Sequence, residues 1–95
     1  MITKVRKRNN EIVPFEQEKI AWALYKAAES VGGSDFDLAY KLSGEVVELL
    51  NEKGEEIAFV EDIQDTAEKV LIENGHAKTA KAFILYREKR RGARE

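Results

Sequence analysis

A cluster of positive charge lies near the start of this 95-residue chain, although its formal net charge is −2. Five residues from Lys4 read Lys-Val-Arg-Lys-Arg, and Lys19 follows close to the start of a predicted helix. Ammonium and guanidinium groups beside the amides of a helix N-terminus form an anion site. A triphosphate would need several such donors and an apolar slot beside them. The candidates are Lys7, Arg8 and Lys19 for the anion, with Val5 and Ile20 for the slot. The alternative interpretation is a solvated edge strand whose cations prevent aggregation.

Composition disfavours most other kinds of site. The chain has no cysteine and one histidine, so thiolate zinc sites, histidine clusters and cysteine or Ser-His-Asp catalysis have little support. Neither the P-loop pattern nor the Gly-x-Gly-x-x-Gly pattern of Rossmann folds occurs. The many carboxylates are interpreted as charges on solvated helix faces. We therefore expect neither catalytic residues nor metal ligands, and a chain that is not an enzyme.

Three features have more than one interpretation. The basic segment Arg87–Arg94 is a solvated helix end, a linker or a contact for a polyanion. Trp22 is either a core aromatic residue beneath the sheet or part of a surface for a partner protein. His76 follows a glycine between two predicted helices, and we interpret it as a loop residue.

The apolar runs of the chain are short, far below the roughly 20 residues that a transmembrane helix needs. Met1-Ile2-Thr3 does not resemble the start of a signal peptide. We therefore expect a cytoplasmic protein with no membrane partner. The net negative charge argues against general nucleic-acid binding.

The cations belong to a predicted β-hairpin over residues 4–15. Its strands are predicted at 4–8 and 11–15, joined at Asn9-Asn10 by a two-residue turn of the mirror-image type, since asparagine tolerates a positive φ. Alternation places Val5 and Lys7 on one face of the first strand. A hairpin alone is marginal in water. The β-branched and aromatic run at 57–60 is the candidate third strand.

Four amphipathic helices are predicted from apolar residues at the helical period. Their expected ranges are about 16–31, 34–51, 61–74 and 77–91. Gly32-Gly33 ends the first helix, and Ser34 is expected to cap the second, with Asp37 in the capping-box position. The prediction is a single α+β domain over residues 1–95, in which a small three-stranded sheet covers a four-helix bundle.

Three ordered segments of the chain resemble the ATP-cone domain. They are VRKRNNEIVPFEQEKI, VEDIQDTAEKVL and AKAFILYREKR, and the likeness extends over about residues 3–91. The ATP-cone is the N-terminal regulatory module of ribonucleotide reductases, and it also follows a zinc ribbon in the repressor of reductase genes. The matching positions of the first segment are Val5, Lys7, Arg8, Asn9, Asn10, Pro14, Phe15, Lys19 and Ile20. Those of the later segments are Val60, Asp62, Ile63, Gln64, Tyr86 and Arg87.

The resemblance implies a non-catalytic domain that binds ATP or dATP, with Mg²⁺, beneath the sheet. The occupant would control the activity or the oligomeric state of a ribonucleotide reductase, whose catalytic domain or subunit would be the partner. By position, Lys7, Arg8 and Lys19 would meet phosphates, with Arg87 or Lys89 closing the phosphate side. Val5 and Ile20 would flank the nucleoside. Val60 and Gln64 would lie near the nucleotide.

The sequence departs from the family pattern at three positions. Asn10 replaces the turn glycine, and Val60 and Gln64 replace a threonine-like and a histidine-like residue. The preference between ATP and dATP is therefore left open. Two alternatives also stay open: a cone that has lost nucleotide binding and acts as a protein-interaction or dimerisation module, and a small transcriptional regulator of reductase genes. The second is disfavoured because no zinc ribbon precedes the cone.

Overall fold

The computed structural model describes residues 1–94, and the side chains of residues 1–89. The elements are β1 (Lys4–Arg6), β2 (Ile12–Pro14), α1 (Gln17–Ser30), α2 (Phe36–Glu52), β3 (Ile57–Phe59), α3 (Val60–Glu73) and α4 (Ala77–Arg94). Four helices and one three-stranded sheet confirm the predicted α+β class. Within this described part, no helix combines the length and the apolarity that crossing a bilayer would require.

The sheet has the order β2-β1-β3, with β1 antiparallel to β2 and parallel to β3. Val5 of the central strand pairs with Val13 on one side and Ala58 on the other. This row faces the helices, because Ala58 is buried and Val5 packs against the core. The next row alternates to the outer face, where Phe59 is 53% exposed.

The turn of the hairpin differs from the prediction. The Asn10 amide donates to the Lys7 carbonyl at 2.9 Å, and the Lys7 amide donates to the Glu11 carbonyl at 2.8 Å. Asn10 has a φ of 70° and is the one described non-glycine residue with a positive φ. A two-residue turn needs a positive φ at both residues in type I′ and at the first residue in type II′. Here only the second residue, Asn10, has one, as in a three-residue loop in which a type I turn is followed by a left-handed residue. The predicted turn is therefore wrong, and so are the longer strands, because Lys7 and Arg8 lie beyond β1.

The helices form a ring in which α1 packs against α2 and α4, and α3 packs against the same two helices. The most completely buried of the large apolar side chains lie at the centre of the bundle and are Leu24, Val46, Leu50, Val70 and Leu71. Burying each of these side chains contributes about 1.5–3 kcal/mol relative to leaving it in water. Packing thus supplies the rigid base on which the sheet rests.

The helix boundaries differ from the predicted ranges by a few residues. Helix α2 begins after Asp35, whose carboxylate accepts from the Leu38 amide at 3.0 Å, so the predicted cap at Ser34 is wrong. An N-cap oxygen reaches the amide three residues on, and only Asp35 is placed to do so here. Val60 opens α3 instead of ending a strand, and α4 continues to Arg94.

The N-terminal residues fasten the hairpin to the end of the bundle. The Ile2 amide donates to the Asn51 side-chain oxygen at 2.8 Å, and the Ile2 side chain is buried. The Thr3 amide donates to the Glu56 carbonyl at 2.9 Å, and the Phe15 amide donates to the Thr3 carbonyl at 2.9 Å. The hairpin is therefore held at the end of α2 and beside the segment that leads into β3.

Candidate functional site

A cavity of about 560 Å³ opens between the hairpin, α1, α3 and α4. This volume lies within the range of about 300–1,000 Å³ that is typical of small-molecule sites. Its apolar wall is formed by Val5, Val13, Phe15, Ile20, Val60, Ile63, Ala67 and Phe83. Four cations, Lys7, Lys19, Lys26 and Arg87, also line it, with one described carboxylate, Glu16. The cavity therefore combines apolar walls with a surplus of positive charge.

Regular periodicities bring these side chains together. Val5 and Lys7 are two residues apart and enter the cavity from the hairpin. On α3, residues 60, 63, 64 and 67 follow the i, i+3, i+4, i+7 pattern of one helix face. On α4, residues 83, 86 and 87 repeat that spacing. The walls that α3 and α4 contribute are thus each one face of a helix.

Most of the cations already have a carboxylate partner within the chain. Lys7 Nζ lies 3.4 Å from Glu11 Oε1, and Lys19 Nζ lies 3.1 Å from Glu16 Oε2. The Lys19 side chain is 75% exposed. Exposed pairs of this kind stabilise a protein by roughly 0–1 kcal/mol, so an incoming anion can exchange with them at small cost.

Gln64 joins two arginines from different elements. Its Oε1 accepts from Arg8 Nη2 at 3.1 Å and from Arg87 Nε at 3.1 Å. Arg8 Nε also donates to Glu61 at 3.2 Å. Arg87 Nη1 lies 3.0 Å from Asp65, and its side chain is only 13% exposed. This network ties the hairpin loop to α3 and α4 at the edge of the cavity.

The structure brings together most of the predicted site residues. Those that line the cavity are Val5, Lys7, Lys19, Ile20, Val60, Gln64 and Arg87. Arg8 instead lies in a neighbouring hollow on the outer side of the hairpin loop. Lys89 is exposed and does not line the cavity. Of the basic segment Arg87–Arg94, only the side chains of residues 87–89 belong to the described residues.

The cavity-lining residues that the sequence did not indicate as site residues include Lys26, Trp22 and Tyr86. Lys26 follows Lys19 by seven residues, so it lies on the same face of α1, and this spacing could have revealed it. Trp22 is 50% exposed, so its interpretation as a core residue is wrong. Tyr86 precedes Arg87 on the face that α4 turns toward the cavity.

The donors around the cavity suit an anion better than a bare metal ion. Among the described residues, no three His, Cys, Asp or Glu side chains are grouped to hold a metal. Glu16, the carboxylate of the cavity wall, is paired with Lys19. Mg²⁺ in nucleotide sites keeps several waters and is held largely by phosphates. Such an ion would therefore enter with a phosphate ligand.

The fold and the cavity define a small α+β module with an apolar cleft edged by cations. The chain belongs to the ATP cone domain family, whose model matches residues 3–92. This match confirms the resemblance drawn from the three sequence segments.

The relatives of the chain are much longer enzymes. It is 46% identical over 100 residues to the vitamin B12-dependent ribonucleoside-diphosphate reductase of Thermoplasma acidophilum, covering 100% of this chain and 13% of that protein. The corresponding Mycobacterium tuberculosis reductase is 39% identical over 87 residues, which cover 92% of this chain and 12% of the enzyme. A 2-phosphoglycerate kinase of Pyrococcus horikoshii is 34% identical over 87 residues, covering 92% of this chain and 27% of the kinase. The chain therefore corresponds to about one eighth of the reductases it matches.

Proposed function

We propose that this chain is a non-catalytic regulatory module that binds ATP or dATP in the cavity between the hairpin, α1, α3 and α4. The observation that carries the proposal is the combination of apolar walls and four cations in one cavity of about 560 Å³. A nucleoside triphosphate has the complementary chemistry, with a flat apolar base at one end and a polyanion at the other. Family membership supports the same ligand class.

The distribution of side chains suggests which part of the nucleotide each would contact. Lys7, Lys19 and Arg87 would bind phosphates, because charge-assisted hydrogen bonds to phosphate oxygens are strong. Arg8 and Lys89 would join them at the phosphate end after moving toward the cavity. The nucleoside would lie against the apolar group Val5, Ile20 and Val60, with Gln64 nearby. When bound, Mg²⁺ would neutralise part of the phosphate charge.

Regulation would follow from the position of the cavity. Its walls come from four separate elements, so a bound nucleotide would favour one relative arrangement of the hairpin and the helices. A ligand shifts an equilibrium only by its differential affinity for the two states. We propose that the favoured arrangement changes the contacts of the module with the catalytic part of a ribonucleotide reductase in the cytoplasm, and so its activity or oligomeric state.

The named relatives suggest the parent enzyme. The two reductases described above are vitamin B12-dependent, which makes an enzyme of that type our proposed context. The kinase relative has a different activity by name, so the module is also compatible with another enzyme. The nucleotide proposal concerns the cavity of this chain and is tested independently of the parent.

Isothermal titration calorimetry with ATP and with dATP, each with Mg²⁺, tests the proposal. We expect saturable binding that Lys7→Glu or Lys19→Glu weakens at least about tenfold, because each reversal places a carboxylate among the phosphates. The matched control is Lys41→Glu on α2, since Lys41 is exposed and does not line the cavity. Absence of heat and of any thermal shift at millimolar nucleotide would contradict the proposal.

A second candidate function rests on an exposed aromatic cluster of α1 and α2. Trp22 and Phe36 have ring centroids 4.6 Å apart, and Tyr25 lies 5.7 Å from each of them. Tyr40 continues the cluster and is 44% exposed. Exposed aromatic residues favour protein contacts, so this surface supports a protein-interaction or dimerisation module. Sedimentation velocity distinguishes this function from nucleotide-dependent regulation. An oligomer that nucleotide does not change, and that Tyr40→Ala disrupts, favours the protein-interaction module.

A further inference from the structure

Arg8 is the predicted phosphate-binding cation that the structure holds outside the cavity by defined contacts. Its Nε donates to Glu61 Oε1 at 3.2 Å, and its Nη2 donates to Gln64 Oε1 at 3.1 Å. Glu61 belongs to the first turn of α3, 53 residues further along the chain. Arg8 thus bridges from the hairpin loop to α3 and lines the outer hollow.

The two lysines with carboxylate partners, Lys7 and Lys19, differ from Arg8 because their ion pairs are local. Lys7 and Lys19 pair with carboxylates four and three residues away, and both still line the cavity. Their pairs belong to the same local segment and leave the ammonium groups beside the cavity. The Arg8–Glu61 pair instead connects two elements and holds Arg8 at the outer hollow, beside the cavity-lining Gln64. Its side chains are 25% and 51% exposed, so solvent screens the pair only in part.

We propose that Glu61 is an intramolecular counter-ion that competes with phosphate for Arg8 and thereby sets the affinity of the site. This inference rests on the proposed nucleotide binding. A phosphate group draws Arg8 into the cavity only when the ion pair with Glu61 is broken. Gln64 accepts from Arg8 and also lines the cavity, so the guanidinium already lies next to the cavity wall. Glu61 is therefore an affinity-determining residue that need not touch the ligand.

The test compares ATP binding by calorimetry in wild type, Glu61→Gln and a matched control. Glutamine keeps the shape of the side chain and removes the charge, so Arg8 is held less strongly, and ATP should bind about two- to fivefold more tightly, the range of a partly exposed ion pair. The control is Glu73→Gln, which makes the same change on α3 at its opposite end. It should change the affinity by less than about 1.5-fold, because its distance from the cavity lets salt screen the charge.

A double-mutant cycle assigns the effect to Arg8. Arg8→Ala should weaken ATP binding, and Glu61→Gln should no longer strengthen it in that background. The Arg8 Nε–H resonance gives a second readout, since it should shift in ligand-free Glu61→Gln and stay unchanged in Glu73→Gln.

The outcomes separate this inference from the proposed function. An affinity of Glu61→Gln equal to or below that of wild type overturns the role of Glu61 while nucleotide binding stands. An equal gain with and without Arg8 overturns it too, since the effect would then be general electrostatics. Absence of ATP binding in wild type overturns both.

Discussion

Gln64 shows how one neutral side chain can organise two cations at the candidate site. Its amide oxygen accepts from Arg8 and Arg87, so the amide orientation is determined by two donors. The Arg87 side chain is 13% exposed and depends on this acceptor together with Asp65 and Glu68. A histidine-like residue, which the family pattern has here, would present ring nitrogens instead. Gln64 therefore holds two arginine side chains in place at the site without adding a charge of its own.

Replacing Gln64 with leucine should therefore destabilise the domain. The substitution keeps the helix propensity similar and removes the acceptor from a largely buried guanidinium. Leaving such a donor without its partner costs about 1–2 kcal/mol, which urea unfolding monitored by circular dichroism would measure. The control is Lys69→Leu, an exposed position of the same helix, where we expect a change below about 0.5 kcal/mol. Equal effects of the two substitutions would show that the acceptor contributes nothing.

Asn10 shows that a departure from the family pattern need not change the backbone. The family has glycine at this position, and Asn10 adopts a φ of 70°, in the left-handed region that glycine and asparagine favour. The preference of asparagine for that region could be read from the sequence, but the length of the turn could not. Two hydrogen bonds between Lys7, Asn10 and Glu11 determine it, and they depend on where strand pairing stops.

At the scale of elements, the periodicity of apolar residues was sufficient to predict that the four helices and the three strands exist. The same alternation that predicts Val5 and Lys7 on one face places both at the cavity. The same alternation could not predict the position of the Arg8 side chain, because its partner Glu61 lies 53 residues away in the sequence. The choice between a core and a surface position for Trp22 also depended on a contact between helices, since Trp22 packs against Phe36 of α2 and still stays 50% exposed. Local pattern predicts faces, whereas contacts between distant elements decide which side chains reach the site.

A hydrogen bond from the N-terminal segment attaches the hairpin to α2, and its contribution can be tested directly. Asn51 accepts from the Ile2 amide at 2.8 Å, next to the attachment of β1 to β3. Asn51→Ala should loosen the hairpin, so amides of Val5 and Lys7 should exchange with deuterium about three- to tenfold faster, equivalent to roughly 1 kcal/mol. Amides in the centre of α3 should keep their protection, because the bundle core does not depend on this bond.

The control for Asn51→Ala is Glu52→Ala, an exposed neighbour at the end of α2. Its hairpin amides should exchange at the wild-type rate. Uniformly faster exchange throughout Asn51→Ala would show a loss of global stability and contradict a local fastening.

At the scale of the whole molecule, charge is distributed unevenly. The chain has a net charge of −2, yet Lys7, Lys19, Lys26 and Arg87 surround one cavity. A local surplus of cations on an acidic protein favours a small anion, since the remaining surface repels extended polyanions such as nucleic acid. The cavity also touches every described element of the fold except α2 and β3. A bound ligand should therefore act on the stability of the entire domain.

Nucleotide should consequently raise the melting temperature cooperatively. A ligand at one hundred times its dissociation constant adds about 2.7 kcal/mol to the free energy of unfolding. For a domain of this size, each kcal/mol corresponds to about 4–8 °C, so saturating ATP should raise the Tm by roughly 10–20 °C in differential scanning calorimetry. At the same ATP concentration, Lys19→Glu should lose about half of the increase or more, and Lys41→Glu should retain it. Inorganic triphosphate should give a smaller increase in Tm than ATP. It can bind the cations, but it has no base to cover the apolar side chains of Val5, Ile20 and Val60. Equal shifts with triphosphate and ATP would show that the apolar wall does not bind the nucleoside.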